Sequence, residues 1–253
     1  MKSNIAVIAG TSEATELIEE LEEEFCITAF VATDEGRKIL EGRNCIVITG
    51  RKDGTEFGKV LSKFCAVIDA SHPFATEVTK NVRSVCEKLG IHYLRLGRPH
   101  TEYEYQKIVY ADNKEEVAEK LNDTDGKILF LTGSNTAEFY KNHVKDFADR
   151  ALIRVLDTDF SRNAVRGLEE KNVIFGTPPF SVSDNLKLIR EYDISVVVSK
   201  DSGKRGGIEE KVSACREAKI PLILIRSPEN TAECSVKKIA EKVRNIADVA
   251  GNT

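Results

Sequence analysis

The sequence predicts an α/β protein built on a parallel, doubly wound sheet. Three observations lead there. Short apolar runs of strand length recur along the 253 residues, longer stretches with apolar positions at helical spacing separate them, and polar corners rich in Gly, Pro, Ser and Thr mark the changeovers. Strands alternating with helices are the pattern of β-α-β crossovers, which build parallel sheets. The length fits one large α/β domain or two of ordinary size. At 41% hydrophobic and 31% charged, the chain has enough apolar residues for a real core.

The first strand is expected over Asn4 to Ala9, followed by Gly10-Thr11-Ser12-Glu13-Ala14 and a helix with Ala14, Leu17, Ile18 and Leu21 on one face. Thr11 or Ser12 can cap that helix, and Glu13 or Glu16 suits its dipole. Gly10 permits close approach of the backbone, so this helix start can hold a phosphate. The turn is not G-x-G-x-x-G, and a purely structural Gly turn is the alternative. The second strand, Cys26 to Ala32, ends in Thr33-Asp34-Glu35-Gly36. Asp34 stands where dinucleotide folds place a ribose-binding carboxylate. Arg37 and Arg51 can instead meet a 2′-phosphate, which leaves NADH and NADPH both open.

A third strand, Cys45 to Thr49, leads through Gly50-Arg51-Lys52-Asp53-Gly54 into a helix over Glu56 to Lys63. The fourth strand, Cys65 to Ile68, runs into the most chemically loaded corner of the chain, Asp69-Ala70-Ser71-His72-Pro73-Phe74-Ala75. A helix follows from Glu77 to Leu89, and then a fifth strand, His92 to Leu96. The corner offers an acceptor, a hydroxyl and a titratable ring in one turn, with Pro73 close to a helix start. Asp69 and Ser71 can equally serve as caps for helix-start amides. In a parallel sheet the Gly10 turn and the Asp69 corner both stand at strand carboxyl ends, where α/β folds keep their ligands.

Gly97 to Tyr103, with Arg98, Pro99 and His100, breaks the periodicity and reads as the crossing between two halves, 1–98 and 99–253. The second half runs through strands at Lys107 to Ala111, Ile128 to Leu131, Ala151 to Leu156, Val173 to Phe175, Ile194 to Ser199 and Leu222 to Ile225, with helices between. It closes on an amphipathic helix, Val236 to Val249. Three polar corners mark it: Thr132-Gly133-Ser134-Asn135, Pro178-Pro179-Phe180-Ser181, and Lys200-Asp201-Ser202-Gly203-Lys204-Arg205-Gly206-Gly207. The last has three glycines and three cations after a strand and before a helix, which suits an anion. A flexible charged turn is the alternative, since the G-x-x-x-x-G-K-[ST] pattern is absent.

Several classes are disfavoured. A net charge of −4 and a pI near 5.8 give no footprint for nucleic acid. The strand-like start at Asn4 leaves no room for a signal peptide, and no apolar run is long enough to span a bilayer, so a cytoplasmic protein is expected. The six cysteines form no C-x-x-C pair and suit buried, reduced thiols. The four histidines, His72, His92, His100 and His143, lack metal-site spacing, and no metal is expected.

Taken together, the motifs resemble one family, the precorrin-6A and cobalt-precorrin-6A reductases of cobalamin biosynthesis. The likeness rests on Gly10-Thr11-Ser12-Glu13-Ala14, Asp69 to Ala75, Arg98-Pro99, Thr132-Gly133, Pro179-Phe180-Ser181, Lys200-Asp201-Ser202-Gly203 with Gly206-Gly207 and Glu210-Lys211, and Ile220 to Pro228. These run in order over nearly the whole chain. The resemblance implies two Rossmann-like parallel-sheet halves with the active site in the cleft between them. It implies NADH or NADPH as cofactor, and a polycarboxylated tetrapyrrole reduced at one ring double bond. Cofactor contacts would map to Gly10, Thr11, Ser12, Ser71, His72 and Pro73, beside the Asp34 read from its spacing. Lys200 matches a position that would bind a substrate carboxylate, with Ser202 and Gly203 beside it, and Arg98, Lys204 and Arg205 are further cations at predicted loops for the same role. His72 is a candidate proton donor beside solvent. The chain departs from the family where Thr15-Glu16 replace a common Arg, and where Pro178 replaces Gly before Pro-Phe. The partner expected is the small molecule alone, with the protein a monomer or weak homo-oligomer. Two readings compete: a nicotinamide-dependent reductase of another anionic small molecule, and a non-catalytic dinucleotide sensor.

Overall fold

The computed structural model describes residues 2–97, 102–203, 206–228 and 235–251. The chain forms two compact units, Met1–His100 with Pro228–Thr253, and Thr101–Ser227.

The first unit begins β1 (Asn4–Ile8), α1 (Ser12–Leu21), β2 (Cys26–Val31), α2 (Asp34–Ile39) and β3 (Cys45–Thr49). It continues α3 (Gly54–Val60), β4 (Ala66–Asp69), α4 (Thr76–Leu89) and β5 (His92–Arg95). The five strands form one sheet in the order β3-β2-β1-β4-β5, every pair parallel. Strand alternation splits β1 between two cores. Ile5 and Val7 pack with Leu17, Ile18 and Leu21 of α1. Ala6 and Ile8 pack with Phe57 of α3 and Val82, Val85 and Cys86 of α4. Helices therefore cover both faces, which is why these strands read as continuous apolar runs.

The second unit comprises β6 (Ile108–Ala111), α5 (Lys114–Asn122), β7 (Lys127–Leu131), α6 (Ala137–His143), α7 (Phe147–Arg150) and β8 (Ala151–Leu156). It continues α8 (Asp159–Ala164), β9 (Val173–Gly176), α9 (Val182–Glu191), β10 (Ile194–Lys200), α10 (Ile208–Ala218) and β11 (Leu222–Ile225). Its six strands are ordered β6-β11-β10-β7-β8-β9 and are again all parallel. On one face Leu129, Leu152, Val197 and Leu222 meet Leu186 and Ile189 of α9 and Ile208, Val212 and Cys215 of α10. On the other, Phe130 stacks on Tyr140 of α6 at 4.5 Å and meets Phe147 of α7.

The last helix, α11 (Val236–Gly251), returns to the first unit, contrary to the expected boundary that gave 99–253 to the second half. Ile239, Ala240 and Val243 complete the core against α1. Arg244 binds Glu24 at 2.6 Å and Glu20 at 3.1 Å. The apolar stripe of α11 was legible in the sequence, but which sheet it would cover was not.

All the expected strands are present. The short helix α2 was not expected, since it has too few turns to show a period, and the helices expected between the strands of the second half include the short α6, α7 and α8. The thiols are more varied than expected: Cys86 and Cys215 are buried, Cys45 and Cys65 half-buried, and Cys26 exposed, while Cys234 lies outside the described residues. Among the described residues no helix is long and apolar enough to cross a membrane, and no cluster of three ligating side chains is present.

Candidate active site

In the first sheet the chain moves outward through β2 and β3, then restarts at β4 on the other side of β1. That reversal places the switch point between the carboxyl ends of β1 and β4, where an open α/β sheet leaves a crevice for a ligand. Both corners singled out in the sequence meet there. Thr11 Oγ1 donates to the Ala70 carbonyl at 2.8 Å and accepts from the Ala14 amide at 3.2 Å. One hydroxyl thus caps α1 and ties it to the loop after β4. Gly10 has φ +126°, and nothing lies within 4 Å of the place a Cβ would occupy. That conformation suits glycine and leaves the backbone open to approach. Ser12 is exposed in the first turn of α1 and contacts Glu13.

The Asp69 corner is built differently from a cap. Asp69 is fully buried. It accepts from the Ser71 amide at 3.0 Å, Thr79 Oγ1 at 2.7 Å, Tyr93 Oη at 3.0 Å and Arg95 Nη1 at 3.0 Å. Arg95 Nη1 also reaches the Asp69 and Ser71 carbonyls. The carboxylate therefore stiffens the turn, and the alternative in which it caps α4 does not hold. α4 starts at Thr76 after Ala75 with no side-chain cap, so its first amides face the loop without one. Ser71 is buried within this network and Pro73 is buried beside it. His72 Nδ1 accepts from the Phe74 amide at 3.2 Å, which puts the ring proton on Nε2. Asp34 lies elsewhere on the same carboxyl edge, exposed in the first turn of α2.

The second sheet repeats the device. The chain leaves β7 through β8 and β9, then restarts at β10 on the other side of β7. Its switch point is flanked by Thr132-Gly133 and by Lys200-Asp201-Ser202-Gly203. Gly133 has φ +81° and open space above it. Asp201 is buried, accepts from Tyr103 Oη at 2.7 Å and receives the Gly203 amide two residues on. It thus parallels Asp69, which takes a tyrosine hydroxyl and the Ser71 amide. Ser202 Oγ donates to the Gly206 carbonyl at 3.2 Å, so its hydroxyl shapes the loop. Lys200 ends β10, and burial lowers its pKa. Arg98, Lys204 and Arg205 lie outside the described residues.

Two further cations belong to this unit: Arg154, which the sequence reading did not single out, and Lys211, which figured there only as part of the Glu210-Lys211 motif and not as a site residue. Arg154 of β8 is 7% exposed, and its guanidinium lies 3.7 Å from the centre of the Phe180 ring. Lys211 of α10 donates to the Gly206 carbonyl at 3.4 Å. Burial, with Arg154 nearby, lowers its pKa to about 8. A signal for both existed. Arg154 interrupts the apolar run Ala151 to Leu156, and Lys211 shares a helical stripe with Ile208, Val212 and Cys215.

The sequence profile of the precorrin-6x reductases, CbiJ/CobK, matches residues 4–249. The chain belongs to that reductase family. A cobalt-precorrin-6A reductase of Methanocaldococcus jannaschii is 30% identical over 97% of this chain and 99% of its own length. One from Priestia megaterium is 30% identical over 88% of this chain and 90% of its own. One from Salmonella typhimurium is 27% identical over 90% and 88%. A solved CobK precorrin-6A reductase shares the fold, with a TM-score of 0.74 over 96% of this chain and 97% of its own, at 21% identity. Two Rossmann-like halves and an oxidoreductase follow.

Proposed function

We propose that this reductase uses NADH or NADPH to reduce one ring double bond of cobalt-precorrin-6A or precorrin-6A, giving the corresponding 6B compound of cobalamin biosynthesis. Family membership supports the reaction. The observation that supports its place in the chain is the pair of switch-point corners joined by Thr11 and Ala70.

The residues at the first switch point fit a nicotinamide dinucleotide. Gly10 leaves its backbone open, and α1 and α4 both start there, so helix dipoles and free amides favour the pyrophosphate. Asp34 is placed to accept from a ribose hydroxyl. When bound, the reduced nicotinamide supplies the hydride; binding, orientation and electrostatics fall to the protein. Thr11 holds the two corners at one spacing, and the Asp69–Arg95 pair prevents the Ser71-His72-Pro73 turn from shifting. His72 presents Nε2–H as a hydrogen-bond donor, a role in cofactor contact rather than in proton delivery; solvent provides the proton. Lys200, Ser202 and Gly203 of the second unit bind substrate carboxylates, and Arg98, Lys204 and Arg205, outside the described residues, are further cations for that role. The protein works in the cytoplasm, as a monomer or weak homo-oligomer, on a small molecule and not on nucleic acid.

Isotope transfer tests this reading. With nicotinamide deuterated at the transferable position, the macrocycle should gain one deuterium and one solvent hydrogen. Deuterium retained on the nicotinamide, with an unchanged macrocycle, would refute it.

A further inference from the structure

In the second sheet, Ile174 and Leu224 lie at one level on the face toward α9 and α10. Arg154 is the register partner of Ile174 and stands two residues after Leu152, on the same apolar face. A guanidinium occupies a place where the pattern calls for an aliphatic side chain.

Buried charges normally meet a counter-ion. Arg154 has neither an ion pair nor a hydrogen bond among the described residues, only the face of Phe180. That ring is held close: it would lie 2.9 Å from a Cβ on Gly176, so the missing side chain lets Phe180 sit against the strand and over the guanidinium. Asp184 of α9, which also acts on Arg154, has its Oδ2 occupied by the Ser181 amide at 2.8 Å and the Ser181 hydroxyl at 2.7 Å. Lys211 forms no ion pair among the described residues and reaches one loop carbonyl. Glu210 beside it holds a buried oxygen, Oε2, with no hydrogen bond among the described residues. Asp184 and Glu210 act on the two cations through space, yet neither forms an ion pair with Arg154 or Lys211 among the described residues. A planar guanidinium near an ammonium, with donors to spare on both, is a geometry that grips a carboxylate.

We propose that Arg154 and Lys211 form a carboxylate-binding subsite for one acidic side chain of the macrocycle. The subsite lies beside Gly206, which Lys211 reaches, with Phe180 and Gly176 fixing the guanidinium. This rests on the tetrapyrrole reading above. A cofactor phosphate offers similar chemistry, and separate macrocycle and cofactor affinities distinguish the two sources.

The test measures two affinities separately on the intact protein: cobalt-precorrin-6A without nicotinamide, and NADPH without macrocycle. The variants are Arg154→Met, Lys211→Met and the charge-keeping Lys211→Arg, each checked for an intact melting transition. We expect at least a tenfold loss of macrocycle affinity in each Met variant, recovery in Lys211→Arg, and NADPH affinity within twofold of the parent. Parent-like macrocycle affinity in both Met variants overturns the subsite and leaves the reductase reading intact. Weakened NADPH binding with unchanged macrocycle binding assigns the pair to the cofactor and also overturns it. If the parent protein binds no macrocycle at all, the reductase reading itself fails.

Discussion

Replacing Lys211 by Met should make the protein more stable near neutral pH. The ammonium of Lys211 titrates at about 8 instead of its usual 10.5, chiefly because burial disfavours the charge, with Arg154 adding repulsion and Glu210 offsetting part of it. Each pKa unit corresponds to roughly 1.4 kcal/mol between protonation states, so the upper limit of the penalty is roughly 3 kcal/mol. Lys211 retains some contact with solvent, and screening reduces the expected gain to about 1–3 kcal/mol. The sign follows from linkage. The folded state holds fewer protons than the unfolded one between the two pKa values, so the penalty is full below the folded value and is relieved as pH rises from there towards the unfolded one. Urea unfolding of parent and Lys211→Met at about pH 7 and about pH 10 reads both points. The variant should be the more stable at the lower pH, and the gap should close at the higher. A variant less stable than the parent at neutral pH would refute the uncompensated cation. A gap independent of pH would show that packing, not charge, produced the gain.

Three other outcomes follow from single contacts. Thr11→Val removes the α1 cap and the bridge to Ala70; it should cost about 1 kcal/mol in denaturant unfolding and weaken NADPH binding in a fluorescence titration, with macrocycle binding unchanged. Asp69→Asn leaves Arg95 buried without its carboxylate and should cost about 3–5 kcal/mol in the same unfolding assay. Tyr140→Phe removes a buried hydroxyl that has no partner among the described residues while keeping the stack on Phe130; it should be neutral or stabilising, by up to about 1 kcal/mol.

The architecture was largely legible because buried parallel strands announce themselves as unbroken apolar runs, as at Ile5 to Ile8 and Val196 to Val198. The corners were legible too, since Gly10 and Asp69 each follow such a run. What they do was only half visible. Asp69 looked like a cap, yet its partners Thr79, Tyr93 and Arg95 come from 10, 24 and 26 residues away, which no local pattern reveals. The same holds for Tyr103 and Asp201, 98 residues apart. Asp34 kept its expected edge of the sheet, but as an exposed first-turn residue. Arg154 was not singled out because it sits inside a strand, and Lys211 was visible only as part of a motif rather than as a part-buried cation on a helix stripe, although burial makes such a cation the more telling one. The placement of α11 depended on which sheet had an open apolar face, a property of the assembled unit.

The central claim is that reduced nicotinamide is consumed only in step with the macrocycle. Its most direct test is an anaerobic titration of NADH and NADPH into the protein, with and without cobalt-precorrin-6A, followed at the nicotinamide absorbance band. Loss of that band only when the macrocycle is present, one nicotinamide per macrocycle, is the predicted result, and the faster of the two cofactors fixes the preference. Cofactor that binds but stays reduced in the presence of the macrocycle would contradict the account.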